Sequence, residues 1–191
     1  MCYIKVTIDN MNKKILFCDN SLKELLNFRK DIIMHYATHE FKVVLVAPQN
    51  CELKISHPNI TYIPLPMSRA SMNPFKDLIY FTKLLKIYRN VSPNYIFHYT
   101  IKPNIYGSIA ARMCNIPSTA MVAGLGYVFN KKSIGCYIAR ILYRFALQFP
   151  EHVFVLNTYN YDTLLNMNMA TPHQLILLKG GEGVNLKQFQ N

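Results

Sequence analysis

The stretch Tyr99–Phe129, YTIKPNIYGSIAARMCNIPSTAMVAGLGYVF, decides the fold of this 191-residue chain. It strings two loops around a helix of small residues and a short apolar strand, STAMVA. Outward from it, apolar runs alternate with segments of helical period. KILFC precedes 22–39, then come KVVLVA, and ITYIPL before 74–90; YIFHY precedes 103–114, STAMVA precedes 135–149, HVFVL precedes 159–168, and QLILL closes the series. Strands that are apolar nearly throughout are buried on both faces, which is the signature of a parallel sheet covered by helices. The expected fold is α/β: a doubly wound, mostly parallel sheet of about seven strands with helices on both faces. Ser21-Leu22-Lys23-Glu24 reads as a capping box. Pro74 and Pro103 sit where a first helical turn tolerates a missing N–H.

Composition narrows the class. The chain is 51% apolar and 16% charged, too hydrophobic for disorder. Its longest uncharged apolar stretch, Ala120 to Phe129, is too short to span a bilayer, which takes roughly 18–20 residues. The five cysteines are odd in number and form no C-x-x-C pair, so neither a disulfide framework nor a zinc site is expected, and a reducing cytoplasm fits best. The start of the chain lacks the order of a secretory signal. Lys and Arg exceed Asp and Glu by 21 to 10, a net charge of +11, which favours a polyanionic partner. The basic residues are dispersed without a nucleic-acid motif, so the expected partners are the cytoplasmic membrane leaflet and a pyrophosphate-bearing lipid, and not nucleic acid.

In an open doubly wound sheet, ligands bind beyond the carboxyl ends of the strands where strand order reverses. Here that places Asp19-Asn20-Ser21 and Thr100–Asn104 together. Both segments lead into helix N-termini, which favour an anion such as phosphate. Lys102 would add a charge there, and Thr100 and Asn104 neutral donors; the alternative is a solvated Lys102 and two turn-shaping residues. Gly124 and Gly126 permit unusual backbone angles or close ligand approach beside Leu125, and Tyr127 and Phe129 offer sugar-stacking faces. The other reading is an ordinary strand-to-helix turn with a hydrophobic plug. Gly124-Leu125-Gly126 is a poor dinucleotide fingerprint, because Phe129 stands where the third glycine belongs and the segment does not follow the first strand. His98, at the end of YIFHY, is a catalytic candidate or a hydrogen-bonded structural residue. No carboxylate pair, G-x-S-x-G, H-E-x-x-H or P-loop pattern is present, so a hydrolase, metalloenzyme or P-loop enzyme is unsupported, and no metal site is expected.

Along 135–149, Ile138, Ile141, Leu142, Phe145 and Phe149 suffice for a core face. Arg140 and Arg144 lie opposite them at i, i+4, flanked by Tyr137, with Lys131 and Lys132 upstream. That basic, aromatic-bordered face suits membrane contact, a solvated surface, or a second lobe. The lysines of 74–90 are expected to be solvated.

Thr100-Ile101-Lys102-Pro103-Asn104-Ile105-Tyr106-Gly107-Ser108 and Gly124-Leu125-Gly126-Tyr127-Val128-Phe129 resemble the blocks T-I-K-P-N-I-Y-G-S-x-A-A-R and T-G-L-G-Y-x-F of family 4 glycosyltransferases, and the likeness runs from about Lys13 to Phe189. The resemblance implies a Rossmann-like lobe of GT-B type, the acceptor-side half of a retaining enzyme that moves a sugar from a nucleotide donor to a lipid-pyrophosphate-linked saccharide in bacterial surface-polysaccharide synthesis. It implies acceptor contacts from Lys102, Asn104 and Gly124 to Tyr127, beside Asn20, Ser21 and Thr100 that the sheet edge already places there; Arg69, in the family's polar-basic loop, is an acceptor contact or a surface arginine. Arg29 is either a pyrophosphate contact or a surface arginine. Many members carry a loop histidine that contacts the reacting sugar; here Val122 to Gly124 stand in its place. Gly181-Glu182-Gly183-Val184-Asn185-Leu186 resembles the family's crossing to a second lobe. The expected organisation is therefore an extension at 1–12, a domain at 13–180 and the start of a linker at 181–191. The nucleotide-sugar would belong to a C-terminal lobe, leaving this chain without a cofactor and inactive alone, peripheral on the inner membrane face, with dimerisation through apolar surface near the cleft as a further expectation. Two alternatives stay open: a non-catalytic docking subunit of a split transferase, and a nucleotide-binding Rossmann enzyme.

Overall fold

A computed structural model describes residues 13–68, 73–126, 129 and 133–179. The proposed extension, the linker segment, Arg69, Tyr127, Lys131 and Lys132 lie outside the described residues. Seven strands form one sheet: β1 (Lys14–Cys18), β2 (Lys42–Ala47), β3 (Ile60–Pro64), β4 (Tyr95–Tyr99), β5 (Ser118–Val122), β6 (His152–Val155) and β7 (Leu175–Leu177). Their order is β3-β2-β1-β4-β5-β6-β7 and every neighbouring pair is parallel. This is the expected Rossmann-like architecture, and the order reverses between β1 and β4.

Among the described residues, five α-helices connect the strands: α1 (Leu22–Thr38), α2 (Pro74–Val91), α3 (Ser108–Met113), α4 (Ile134–Ala146) and α5 (Thr158–Asn166). A π-helical turn, Pro103–Gly107, precedes α3, so the segment expected as one helix begins with a wider turn. Asn73 caps α2 ahead of Pro74, and Ser133 and Asn157 cap α4 and α5.

Register divides the strand residues between two faces. Phe17, Phe97, Tyr99 and Met121 pack with α1 through Leu25, Leu26 and Ile33. The opposite face has two core clusters. Leu16, Cys18, Val44, Val46 and Ile96 meet Tyr80, Leu84 and Tyr88 of α2; Ala120, Val122, Val153 and Val155 meet Tyr143, Ala146 and Leu147 of α4. Helices α2 and α4 thus lie on one side of the sheet, with the π-turn in contact with both.

The orientation of α4 corrects the sequence expectation. Ile134, Tyr137, Ile138, Ile141 and Phe145 are each more than half exposed, while Cys136, Tyr143 and Ala146 face the core. Large apolar side chains surround this helix. The smaller Cys136 and Ala146 allow close approach to the sheet, and the Tyr143 hydroxyl finds a buried partner in Asn104. Arg144 borders the exposed apolar stripe, and Arg140 is half-buried with its Nε donating to the Cys136 carbonyl at 3.3 Å.

His98 is buried completely beneath the π-turn. Its Nε2 lies 3.0 Å from the Tyr88 hydroxyl and its Nδ1 3.5 Å from Ser108 Oγ. Gly107 covers the ring so closely that an added Cβ would meet His98 Cδ2 at 2.4 Å and Nε2 at 2.6 Å. Gly107→Ala is therefore expected to destabilise the fold by about 1–3 kcal/mol, read from urea unfolding, and a His98→Ala background should remove most of that penalty. An undiminished penalty in that background would place the cost elsewhere.

Candidate functional site

The carboxyl ends of β1 and β4 lie side by side, since Cys18 is in register with His98, and the chain leaves them through Asp19–Ser21 and Thr100–Lys102. The α1 side of this edge differs from the expected anion site. Its first amides are already engaged: Leu22 N–H donates to the Pro48 carbonyl at 3.3 Å, Lys23 N–H to Asn50 Oδ1 at 3.0 Å and Glu24 N–H to Ser21 Oγ at 3.1 Å. Ser21 is buried, and its hydroxyl also accepts from Asn50 Nδ2 at 2.8 Å. Ser21 is a cap here, its hydroxyl oxygen engaged by two internal donors. Asn20 is half-buried, its N–H donating to Asp19 Oδ1 at 2.6 Å. The sequence hid this closure because Asn50 arrives from the far end of β2.

The β4 side is held from three directions. Lys102 Nζ meets Asp77 Oδ1 at 2.5 Å, and the Tyr106 hydroxyl donates to Asp77 Oδ2 at 3.0 Å. The cation expected at an anion site is thus balanced by a carboxylate in the first turn of α2. Burial, and then the neighbouring Asp77 charge, push the Tyr106 phenol well above its ordinary value, so it remains a donor. Asn104 is fully buried, and its Nδ2 donates to the Met121 carbonyl at 2.9 Å and the Tyr143 hydroxyl at 3.2 Å. Both amide hydrogens are spent inside the fold, so Asn104 is not the neutral donor expected for a phosphate. Asp77 and Tyr143 complete this arrangement with little local signal in the sequence: for Asp77 it is an acid in a helix's first turn.

Thr100 differs from the rest of the turn. It has φ 70°, an unfavourable conformation for a β-branched residue. Its buried Oγ1 has no hydrogen-bond partner among the described residues, and the same holds for Asn104 Oδ1. The glycine loop reaches this turn. Gly126 has φ +63° and a Cβ there would lie 3.3 Å from Ile101 Cδ1, whereas the exposed Gly124 faces open space. Gly126 is therefore the position that requires glycine. Leu125 is buried in the core and Phe129 packs edge-on against Tyr143, with ring centroids 5.9 Å apart. The plug reading fits these two residues. Val122 is buried, while Ala123 and Gly124 are exposed where the family histidine would stand.

Two other candidates prove internal. His98 does not line the edge, and burial lowers its pKa from 6.5 to about 3, so it is neutral at ordinary pH. Arg29 is a buried residue of α1 with its guanidinium 4.5 Å from the Tyr99 ring centroid and 5.5 Å from that of Phe28, which excludes the surface reading.

The parallel seven-stranded sheet, reversing beside two contacting loops, defines a Rossmann-like lobe of GT-B type. The chain belongs to the glycosyl transferase 4-like family, whose model matches residues 14–157. A curated relative, 27% identical over 182 residues, is the N,N'-diacetylbacillosaminyl-diphospho-undecaprenol alpha-1,3-N-acetylgalactosaminyltransferase of Campylobacter jejuni subsp. jejuni serotype O:2; the match covers 92% of this chain and 48% of that protein. Among solved structures, sucrose-phosphate synthase from Thermosynechococcus elongatus aligns with TM-score 0.64 and 13% identity over 92% of this chain and 49% of that one. Acinetobacter baumannii MurG aligns with TM-score 0.58 and 15% identity over 88% and 45%. The chain spans about half the length of these relatives.

The buried imidazole gives the fold a definite acid response. With its folded pKa depressed to about 3 against 6.5 in the free side chain, His98 stays neutral in the native state while the unfolded chain takes up a proton. Its contribution is fully present above pH 6.5 and is lost as pH falls from there toward 3, with a slope of up to about 1.4 kcal/mol per pH unit. Urea unfolding across this window should show that slope reduced in His98→Gln; an unchanged slope would assign the acid sensitivity to other groups.

Proposed function

We propose that this chain is the acceptor-binding lobe of a retaining, nucleotide-sugar-dependent glycosyltransferase. Its substrate is a lipid-pyrophosphate-linked saccharide in bacterial surface-polysaccharide synthesis, and the donor nucleotide-sugar is held by a C-terminal lobe outside this chain. In the reaction an acceptor hydroxyl oxygen bonds the anomeric carbon as the bond from that carbon to the nucleoside diphosphate breaks, and the hydroxyl proton leaves with the diphosphate. Neither lobe performs this step alone, so the isolated chain binds acceptor and does not turn over.

The observation that carries the reading is the contact of the TIKPN turn with the GLG loop at the sheet edge, with Thr100 strained and its hydroxyl without a hydrogen-bond partner among the described residues. Buried strain together with an unsatisfied polar atom is characteristic of sites completed by a ligand. The hydroxyl of half-buried Thr100, both donor and acceptor, suits the hydroxyls of a saccharide, whereas Asn104 is enclosed in the fold and holds the turn. With Lys102 paired, pyrophosphate recognition falls to Arg69 and to the basic residues near α4. The curated relative's name describes a diphospho-undecaprenol substrate, which supports the same acceptor class here.

Docking on the cytoplasmic membrane face is part of this reading. No helix of the described residues is long and apolar enough to cross a membrane. The outward stripe of Ile134, Tyr137, Ile138, Ile141 and Phe145, bordered by Arg144, has the composition of an interfacial helix. Lys131, Lys132 and Arg140 add basic charge nearby in sequence.

Calorimetry on the chain should show binding of a short-chain polyprenyl-pyrophosphate saccharide and none of a UDP-sugar panel. Thr100→Gly should stabilise the fold by about 1 kcal/mol by relieving the positive φ, while weakening acceptor binding about tenfold. Binding of UDP-sugar without acceptor would instead make this a nucleotide-binding Rossmann domain.

A further inference from the structure

The first two turns of α2 carry an exposed apolar cluster that neither the core nor the proposed acceptor site uses. Phe75 is 77% exposed, Leu78 58% and Ile79 54%, at successive i, i+3, i+4 positions. The buried side of the same helix, Asp77, Tyr80, Leu84 and Tyr88, already packs on the sheet and the π-turn. Single exposed apolar residues are ordinary on a protein surface; three large ones on one turn mark a contact surface.

Three features identify what covers them. The first is charge: α2 bears Lys76, Lys83, Lys86 and Arg89 against Asp77 alone, and Asp77 is already paired with Lys102. On the same side of the sheet, α4 bears Arg140 and Arg144 and no acid. Apolar side chains set among uncompensated bases fit an anionic lipid surface, where the side chains enter the acyl boundary and each base gains from the negative leaflet. The second is placement. Helices α2 and α4 flank the π-turn, and both begin at the carboxyl edge of the sheet, so Phe75 and Ile134 lie at the same edge as Thr100. The third is mechanical. One amphipathic helix in a bilayer interface leaves the domain free to roll about that helix axis, and a second contact off the axis removes this freedom.

We propose that Phe75, Leu78 and Ile79 form a second membrane contact that, with α4, turns the site edge of the domain toward an anionic bilayer. The inference rests on the docking role of α4 proposed above and extends it to a helix whose lysines the sequence reads as merely solvated. The occupant is the bilayer surface itself, and the Lys and Arg side chains of α2 meet its headgroups.

The chain contains no tryptophan, so Phe75→Trp and, separately, Ile138→Trp each create a unique fluorescent reporter. Both are titrated with vesicles of phosphatidylcholine containing phosphatidylglycerol, with and without brominated acyl chains, after circular dichroism confirms the fold; Leu78→Trp serves if Phe75→Trp does not fold. The expected result is a blue shift and bromine quenching for both reporters, and vesicle affinity about tenfold weaker in Leu78→Ser/Ile79→Ser. Quenching at position 138 without quenching at 75 or 78 would overturn the second contact and leave the α4 role standing. Absence of quenching at every position would overturn both. A blue shift at 75 that appears without lipid and grows with protein concentration would assign the cluster to self-association and overturn the membrane assignment.

Discussion

The buried amide of Asn104 holds the carboxyl edge of the sheet together. It ties the π-turn to the end of β5 through the Met121 carbonyl and to α4 through the Tyr143 hydroxyl. Hydrogen bonds of this kind contribute about 0.5–1.5 kcal/mol each when made, but losing one leaves a desolvated group that costs about 1–3 kcal/mol. The Lys102–Asp77 pair, supported by Tyr106, ties the same turn to α2. A chain segment fixed from both flanking helices can hold a strained threonine, because the strain at Thr100 is small beside the contacts that would have to break to release it.

This arrangement divides one motif between two jobs. Within TIKPN, Lys102, Pro103 and Asn104 build and anchor the turn, and Thr100 is the half-buried residue whose hydroxyl has no hydrogen-bond partner among the described residues. Pro103 begins the π-turn without an N–H to satisfy. Across the edge, the closure of the α1 amides by Pro48 and Asn50 shifts the proposed ligand contacts toward β4 and β5. The proposed acceptor lobe then presents saccharide-facing groups at the edge and basic, apolar helices to a lipid surface.

The sheet was legible in the sequence because strands buried on both faces need unbroken apolar runs, and KILFC, KVVLVA, YIFHY and STAMVA have no other economical reading. Helix starts were legible for the same local reason, as Ser21 and Pro74 show. What failed depended on partners distant in sequence. Nothing near Lys102 announces Asp77, and nothing near Ser21 announces Asn50. Apolar bulk does not reveal the core face of α4, because geometry favours the small Cys136 and Ala146 against the sheet. His98 resembled a cleft residue by position, but the strand's alternation points it beneath Gly107, into the helix-covered face.

The central claim, that the Thr100 turn and the glycine loop form a saccharide acceptor site, is tested most directly by amide chemical-shift mapping of the isotope-labelled chain. The ligand is a water-soluble saccharide bearing a short prenyl pyrophosphate. The largest shifts are predicted at Thr100–Ile101 and Ala123–Gly126, with the α1 N-terminus little affected. Shifts concentrated instead at Asn20–Glu24, with the Thr100 turn silent, would contradict the account.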